Sequence, residues 1–451
     1  MSDQEHKRDL SLYIHIPFCK LKCSYCDFLS FDRCGYTQHK EYIRALLKEL
    51  DAYEGMADSY MVRTVFIGGG TPSFIDAQWI AQIMEKVRQI FTVDENAEIT
   101  IEGNPDSLTR EHLLQYKEAG INRLSIGLQS ANGDSLVRLG RVHNYDQFVA
   151  AFLNAREAGF ENINVDVMSA LPGESIEDYV RTLAKVVEMN PEHISAYSLI
   201  VEEGTPLSEN EALLSTLPSE EADRQMYSRT KQLLKNSGYY RYEISNYGKK
   251  GYECRHNIVY WTGGEYLGVG LGASSCLDVQ LENGEWKRIR FHGVENLNEY
   301  IGRFEACDGI SEDQYTNLYH EMEDFYHEDF YESAYEDVLY EESYAAQEHL
   351  KEYRELEDNA LLEFFRDYYK DLYLLKRKDC MEEMMFLGLR MMKGVSKTEF
   401  YDRFGTSIEH VYGKIIEKYK KQDLLLEENG RIFLSDAGID VSNMIMADFM
   451  L

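Results

Sequence analysis

Runs of isoleucine and valine alternate along the first two hundred residues with segments whose apolar positions recur every three or four residues. The apolar runs predict β-strands at 12–18, 63–70, 98–105, 122–129, 162–170 and 193–200. Segments between them, such as 36–53 and 109–120, predict amphipathic helices. This alternation predicts βαβ units and a parallel sheet, either open or curled into a barrel. Residues that carry chemistry are then expected where strands end and loops begin.

The pattern changes after residue 200. A helix is predicted near 219–237, and the following segments 239–248 and 256–275 combine aromatic residues with glycine. Such composition favours short strands and tight turns, which would close one side of the sheet.

The last third of the chain divides into two compositions. An acidic, tyrosine-rich stretch has weak periodicity, which is typical of a solvated insertion but also fits a partner-docking or regulatory arm. The pattern after it predicts a few helices and a short β-pair around "NGR", as in a small winged-helix-like domain. The predicted divisions are a barrel core over 1–235, a barrel-closing extension over 236–305, the acidic insertion over 306–378 and the C-terminal helical domain over 379–451.

The net charge of the chain restricts the kinds of molecule that it is expected to bind. The chain of 451 residues has 47 basic and 79 acidic residues, a net charge of −32. Such a field repels nucleic acid and anionic membranes, so neither is expected as a partner. No apolar run is long enough for a membrane span, and the first residues lack the apolar region of a secretory signal, so a cytoplasmic location is expected.

Three of the eight cysteines stand close together in "FCKLKCSYCDF", with the spacing C-x3-C-x2-C. Cys19, Cys23 and Cys26 are therefore predicted metal ligands. A structural zinc ion needs four closed ligands, and Cys34 or His15 would have to complete the set. An iron–sulfur cube held by three thiolates would instead leave one iron open for a small molecule.

The three-cysteine spacing, with Tyr25 before the last thiol, resembles the radical S-adenosylmethionine (SAM) superfamily. That resemblance implies a 4Fe-4S cluster whose fourth iron is chelated by SAM, from which an electron generates a 5′-deoxyadenosyl radical. Further motifs follow the next strands, and their residues are predicted to surround SAM. They are Tyr13, Gly69, Gly70, Thr71, Glu102, Gln129, Arg141 and Asp166. Carboxylate and amide groups suit ribose hydroxyls, and an arginine suits a carboxylate.

Longer motifs, among them "LYIHIPFCKLKCSYCDF", "FIGGGTPS", "DVMSALPGES", "CRHNIVYW" and "EYLGVGLGA", resemble the oxygen-independent coproporphyrinogen-III oxidase family. The resemblance covers residues 11–300 and resumes near 380–451. It implies an α/β fold, a radical-SAM partial (β/α)6 TIM-like barrel followed by a small helical domain. The family's true oxidases resemble C-x3-C-x2-C-x-C, whereas this chain has Phe28 at the last position, as in the haem chaperone (HemW-like) branch.

In that branch the H-N-x-x-Y-W motif is a haem-binding motif, which implies haem contacts for His256, Tyr260 and Trp261. A core histidine with structural hydrogen bonds is the alternative for His256. The family also has a histidine after "GxGA", where this chain has Ser274. If that histidine holds porphyrin in the relatives, this difference argues against tetrapyrrole binding here.

The function expected from the resemblance is a haem chaperone that binds a cluster, SAM and haem and passes haem to an acceptor protein. No catalytic residue is assigned. An oxygen-independent coproporphyrinogen-III oxidase, which decarboxylates propionates, is the enzymatic alternative. A zinc-stabilised interaction protein is the third hypothesis. Flavodoxin or ferredoxin is the electron donor that the resemblance implies.

Overall fold

The computed structural model describes residues 7–280, 285–305 and 369–450. Most of the predicted acidic insertion lies outside these described residues. Six parallel strands in sequence order form the centre of a twelve-stranded sheet. They are β1 (Arg8–Ile16), β2 (Tyr60–Gly69), β3 (Thr92–Gly103), β4 (Arg123–Gln129), β5 (Ile163–Ser169) and β6 (His193–Ser198). The predicted parallel α/β core is confirmed.

Helices follow each of the first five strands. They are α1 (Tyr36–Ala52), α2 (Glu54–Ala57), α3 (Ala77–Ile90), α4 (Arg110–Glu118), α5 (Gly133–Arg138), α6 (Tyr145–Glu157) and α7 (Ile176–Glu188). Their starts obey local rules: Asn144 and Ser175 each accept a hydrogen bond from the third helical N–H and form capping boxes. The buried helix faces and the apolar strand residues make one continuous core.

The sheet stays open because its two ends are extended by different strands. The elements after β6 are α8 (Glu211–Leu214), α9 (Glu220–Asn236), β7 (Tyr240–Arg241), β8 (Asn246–Gly248), α10 (Arg255–Thr262), β9 (Tyr266–Val269), β10 (Ser274–Gln280), β11 (Trp286–His292), α11 (Leu297–Glu305) and β12 (Lys370–Leu375). The strand order is β12-β11-β10-β9-β1-β2-β3-β4-β5-β6-β8-β7. The barrel is therefore partial, as expected, and β12 lies within the range assigned to the acidic insertion.

One local prediction is wrong. The segment that contains "HNIVYW" was expected to form strands and turns, but it is the helix α10, which ends at Gly263 with φ +66°. The carboxylate of Glu98, on β3, accepts hydrogen bonds from the N–H groups of Arg255 (3.1 Å) and His256 (3.0 Å). A carboxylate at a helix N-terminus satisfies free N–H groups and the helix dipole. This cap comes from a residue more than 150 positions away, which local pattern does not reveal.

A second core lies in the C-terminal region. Its elements are α12 (Arg377–Gly388), β13 (Val395–Ser396), α13 (Lys397–Phe404), α14 (Ile408–Lys420), β14 (Leu425–Glu428), β15 (Arg431–Leu434), α15 (Asp436–Asp440) and α16 (Ser442–Ala447). The expected β-pair around "NGR" is β14–β15, and β13 completes a three-stranded sheet. The helices and this small sheet agree with the winged-helix-like prediction. None of the helices in the described ranges is long and apolar enough to cross a bilayer.

Glu49, on α1, ties three distant elements to the core. Its carboxylate accepts hydrogen bonds from the N–H of Gly270 (2.8 Å) and from the hydroxyls of Tyr300 (2.5 Å) and Tyr369 (2.5 Å). Tyr300 precedes the undescribed segment 306–368 and Tyr369 follows it. Burial raises the pKa of Glu49 to about 7, although the bonds from Tyr300 and Gly270 oppose the shift.

This raised pKa makes stability depend on pH in a defined direction. The folded chain binds the Glu49 proton more tightly than the unfolded chain does. Protonation of Glu49 therefore stabilises the fold fully below about pH 4.5, and this stabilisation is lost as pH rises through about 7. The difference corresponds to about 3 kcal/mol in the free energy of unfolding. Glu49→Gln should therefore flatten the fall in melting temperature between pH 5 and 8. Thermal unfolding at several pH values checks this.

The control is Glu54→Gln at an exposed position of α2, which should keep the wild-type slope. An unchanged slope in Glu49→Gln would show that Glu49 is not the titrating group.

Candidate cofactor and cluster site

The three-cysteine motif forms a loop directly after β1. Its neck is closed by two backbone bonds: the N–H of Cys19 donates to Phe31 O (2.9 Å), and the N–H of Phe31 donates to Pro17 O (2.7 Å). Within the loop, the N–H of Cys26 donates to Cys23 O (3.2 Å). The loop is therefore held at its base, and the thiols of Cys19 and Cys23 contact the side chains of Thr71 and Arg141.

Neighbouring thiols of the motif influence one another. Burial raises the pKa of Cys19 and of Cys26; the charge of Cys23 adds to both shifts, and the charge of Cys19 adds to that of Cys26. Within the described ranges, no three His, Cys, Asp or Glu side chains converge closely enough to hold a single metal ion. Thiols that bind separate irons of one cluster need not converge in that way.

One of the two proposed fourth zinc ligands, His15, has both ring nitrogens engaged. The ring donates from Nε2 to Leu29 O (2.9 Å), and its Nδ1 lies 3.0 Å from the Tyr13 hydroxyl. Burial lowers the pKa of His15 to about 4. Burial and the charge of Asp32 raise the thiol pKa of Cys34, the other proposed ligand.

The glycine turn after β2 packs against the cysteine loop. A Cβ on Gly70 would lie 2.8 Å from Phe18 O and 3.0 Å from Cys19 Sγ. A Cβ on Gly69, whose φ is +112°, would lie 2.5 Å from the ring of His15. Both positions therefore require glycine, because a side chain would separate the turn from the loop. The hydroxyl of Thr71 completes the contact, 3.5 Å from Cys19 Sγ.

A chain of polar side chains continues from this turn across the strand ends. The amide of Asn104 donates to Thr71 Oγ1 (3.2 Å) and accepts from Arg141 Nη2 (2.6 Å). The other terminal nitrogen of Arg141 lies 3.6 Å from Cys23 Sγ. Gln129 joins them, since a Cβ on Gly127 would meet the side chains of all three residues. Asn104 is not among the predicted site residues, although it lies two positions after Glu102, which is.

Two carboxyl groups lie beside this chain. Glu102 accepts a hydrogen bond from the N–H of Gly69 (3.2 Å), and burial followed by the charge of Asp166 raises its pKa to about 8. Burial also raises the pKa of Asp166, which accepts bonds from Ser125 (3.1 Å) and Asn164 (2.8 Å). Asp166 lies in the middle of β5 rather than at its end, so it is one layer deeper in the barrel than predicted.

The "HNIVYW" residues have structural partners. His256 is 1% exposed, and its nitrogens lie 2.8 Å from Thr64 Oγ1 and 2.9 Å from the Tyr260 hydroxyl. Trp261 packs under the guanidinium of Arg390, 4.3 Å from its ring centre. Haem contacts by these residues stay a prediction, and iron ligation by His256 would require one of its two hydrogen bonds to break.

Ser274, which stands where the resemblance implies a histidine, is bonded to a histidine. Its hydroxyl lies 3.0 Å from Nδ1 of His292, and the two residues pair across β10 and β11. The imidazole of His292 therefore lies within hydrogen-bond distance of the side chain at position 274.

A parallel partial barrel with a three-thiol loop and a glycine turn at its carboxyl end defines a radical SAM protein. Residues 13–186 match the model of the Radical SAM superfamily, and residues 375–441 match the HemN C-terminal domain. The chain is 30% identical over 442 residues to heme chaperone HemW of Lactococcus lactis, which covers 98% of this chain and 97% of the relative. The Bacillus subtilis protein of that name is 30% identical over 447 residues, with 98% and 99% covered. The chain belongs to the HemW family.

Two further similarities concern part of the sequence and the fold of the whole chain. HemW of Escherichia coli is 40% identical over 264 residues, 58% of this chain and 69% of the relative. The solved structure of coproporphyrinogen III oxidase (HemN) from Escherichia coli aligns with a TM-score of 0.74 at 20% identity, covering 99% of this chain and 91% of that chain. This alignment establishes a shared fold and no more.

Substitution of the thiols tests the cluster ligands. We expect Ala at Cys19, Cys23 or Cys26 to abolish the iron and sulfide content of anaerobically reconstituted protein, because the loop offers no replacement thiol near the site. Cys34→Ala is the matched control and should retain both. Iron and acid-labile sulfide assays measure this, and full occupancy in any of the three variants would remove that residue from the ligand set.

Substitution of the turn glycine tests the packing of turn against loop. Gly70→Ala should lower cluster occupancy and destabilise the protein by about 1–3 kcal/mol, because the added methyl overlaps Phe18 O. Gly55→Ala is the control, since no atom lies within 4 Å of its added Cβ. Iron analysis and thermal unfolding are the measurements. Equal behaviour of the two variants would contradict the close-contact argument.

Proposed function

We propose that the protein is a haem chaperone that binds a 4Fe-4S cluster, SAM and haem, and delivers haem to an acceptor protein. The observation that carries this proposal is the similarity to two heme chaperones over almost the full length of this chain and of each relative. Fold similarity to the oxidase does not argue against it, because one fold supports several functions.

Three thiols of the loop would hold the cluster. The bound cluster and SAM would supply one-electron reducing chemistry. The role of this chain is to position them: Gly70 and Thr71 fix the loop, and Arg141 places a cation beside Cys23. That cation offsets the negative charge that gathers on thiolates.

Gly69, Gln129 and the residues of the glycine turn lie at or just after the ends of their strands, which supports a SAM site there. Arg141, Gln129 and Asn104 converge over Gly127, where a guanidinium and amides suit a carboxylate and hydroxyl groups. Glu102, whose pKa is about 8, keeps its proton at neutral pH and can donate a hydrogen bond as well as accept one. Asp166, deeper in the barrel, would help to keep Glu102 protonated through its charge. Tyr13 would line the SAM site.

Phe28 favours the chaperone over the oxidase. It occupies the position at which the resemblance implies a fourth cysteine in the oxidases. The residue is 69% exposed and lies in the thiol loop. An exposed aromatic ring at this point suits contact with a flat, apolar cargo or with the acceptor protein. The electron donor would be flavodoxin or ferredoxin, and the location cytoplasmic.

One paired experiment separates chaperone from oxidase. Reconstituted protein is titrated with haem, and a second sample receives coproporphyrinogen III, SAM and a reductant under anaerobic conditions. We expect saturable haem binding, transfer of bound haem to an apo-haemoprotein and no protoporphyrinogen, because the two relatives that match nearly the full chain are heme chaperones.

Protoporphyrinogen formed at a typical enzymatic rate, about 1 s⁻¹ or more, would overturn the chaperone function. Absence of haem binding in the wild-type protein would also overturn it. His410→Ala, at an exposed position of the C-terminal region, serves as the matched variant and should behave as the wild type in both samples.

A further inference from the structure

Side chains of neighbouring strands meet in two successive layers inside the barrel. Ser11 of β1 pairs with Thr64 of β2, and Tyr13 pairs with Phe66 two residues further along both strands. Residues two apart on a strand point to the same face of the sheet. The hydroxyls of Ser11 and Thr64 are 2.8 Å apart, and the rings of Tyr13 and Phe66 are stacked with their centres 6.4 Å apart. The second layer lies nearer to the strand ends.

His256, on α10, contacts both layers. Its Nδ1 lies 2.8 Å from Thr64 Oγ1 in the first layer. Its ring stacks on Phe66 in the second layer, with the centres 5.1 Å apart and 29° between the planes. Its Nε2 lies 2.9 Å from the hydroxyl of Tyr260, one helical turn further along α10. Hydrogen bonds at both nitrogens therefore hold the imidazole in one orientation, and its flat face supports the ring of Phe66.

The backbone of His256 is fixed as well. Glu98, which caps the N-terminus of α10, accepts a hydrogen bond from the His256 N–H and pairs with Thr64 across β3 and β2. Burial, followed by the charge of Arg123, lowers the pKa of His256 to about 3. A neutral imidazole has one donor and one acceptor nitrogen, and two hydroxyl partners can satisfy both.

Phe66 connects this histidine to residues of the predicted SAM site. A Cβ on Gly68 would lie 3.0 Å from Cε1 of Phe66 and 2.8 Å from Oε2 of Glu102, so the ring and the carboxyl group approach the same point. The ring of Tyr13 stacks on the same half-buried phenylalanine. A displacement of Phe66 would therefore be transmitted to both Tyr13 and Glu102.

We propose that His256 is a positioning residue of the SAM site, which acts through the ring of Phe66 to fix Tyr13 and Glu102. This inference deepens the proposed function and rests on it, because it takes the SAM site to lie at Tyr13 and Glu102. It gives the "HNIVYW" motif a role in cofactor binding, from the side of the barrel opposite to the thiol loop. Phe66, which is not among the predicted site residues, becomes part of the site.

Iron ligation by His256 would undo this arrangement. A haem iron on Nε2 would displace the hydroxyl of Tyr260, and one on Nδ1 would displace that of Thr64. His256 is also 1% exposed, so a porphyrin would have to enter the barrel interior to reach it. The contacts of His256 therefore favour positioning over cargo binding.

SAM binding by full-length, cluster-reconstituted variants tests the proposal. His256→Leu removes the hydrogen bonds and the flat ring, and Phe66→Leu removes the ring that joins the histidine to the site. Equilibrium dialysis should show SAM affinity about two- to tenfold lower in each variant, the range that an aromatic pair contributes. The change that SAM causes in the electron paramagnetic resonance spectrum of the reduced cluster should shrink as well. The iron content should stay at the wild-type level, which a general folding defect would not allow.

The double variant tests the connection through Phe66. Because His256 acts through that ring, the combined substitution should lower SAM affinity by no more than about twofold beyond Phe66→Leu alone. Full addition of the two single losses would show independent defects and would overturn the connection.

Ile258→Ala is the matched control on the same helix. Two residues rotate by about 200° around an α-helix, so Ile258 lies on the side of α10 opposite to His256. This variant should bind SAM as the wild type does. An equal loss in Ile258→Ala would show that any disturbance of α10 weakens SAM binding, and the specific role of His256 would be wrong.

Two further outcomes would overturn the proposal while leaving the chaperone function intact. One is wild-type SAM affinity in both His256→Leu and Phe66→Leu. The other is loss of haem binding in His256→Leu with SAM binding unchanged, which would make His256 a cargo ligand. If the wild-type protein binds neither SAM nor haem, the proposed function itself fails.

Discussion

Direct main-chain contact between residues 16–18 and 69–71 is the constraint on which the site depends. The N–H of Gly70 donates to Ile16 O (2.9 Å), and the N–H of Thr71 donates to Phe18 O (2.8 Å). Only a residue without Cβ permits this approach at position 70. Because the thiol loop begins directly after these residues, the loop and the glycine turn are fixed relative to each other. Small displacements of either would be transmitted to the other.

Buried charges of opposite sign fill the barrel and make its local field differ from that of the whole chain. Arg123 is 2% exposed and lies near Glu98 and Asp166. Arg141 is a second positive charge, located at the strand ends 3.6 Å from Cys23 Sγ. Buried charges are tolerated when they are paired and hydrogen-bonded. In a chain with a net charge of −32, these two arginines place positive charge beside the barrel carboxyl groups and beside Cys23.

The solved oxidase structure and this chain share one fold over 99% of this chain at 20% identity. One fold supports several functions, so this similarity by itself assigns none. Two side chains of this chain stand out near the barrel. Phe28 is 69% exposed within the thiol loop, and Ser274 is hydrogen-bonded to His292 across β10 and β11.

The sequence by itself determined the parallel strands, the thiol loop, the glycine turn and the family, because each depends on residues that are close in the chain. The tertiary structure alone decided which side chains meet across elements. Glu98 caps α10, Asn104 joins Arg141 to the glycine turn, and Glu49 holds both flanks of segment 306–368. The depth of Asp166 was likewise decided by sheet register. Such contacts join residues tens to hundreds of positions apart, and local periodicity carries no information about them.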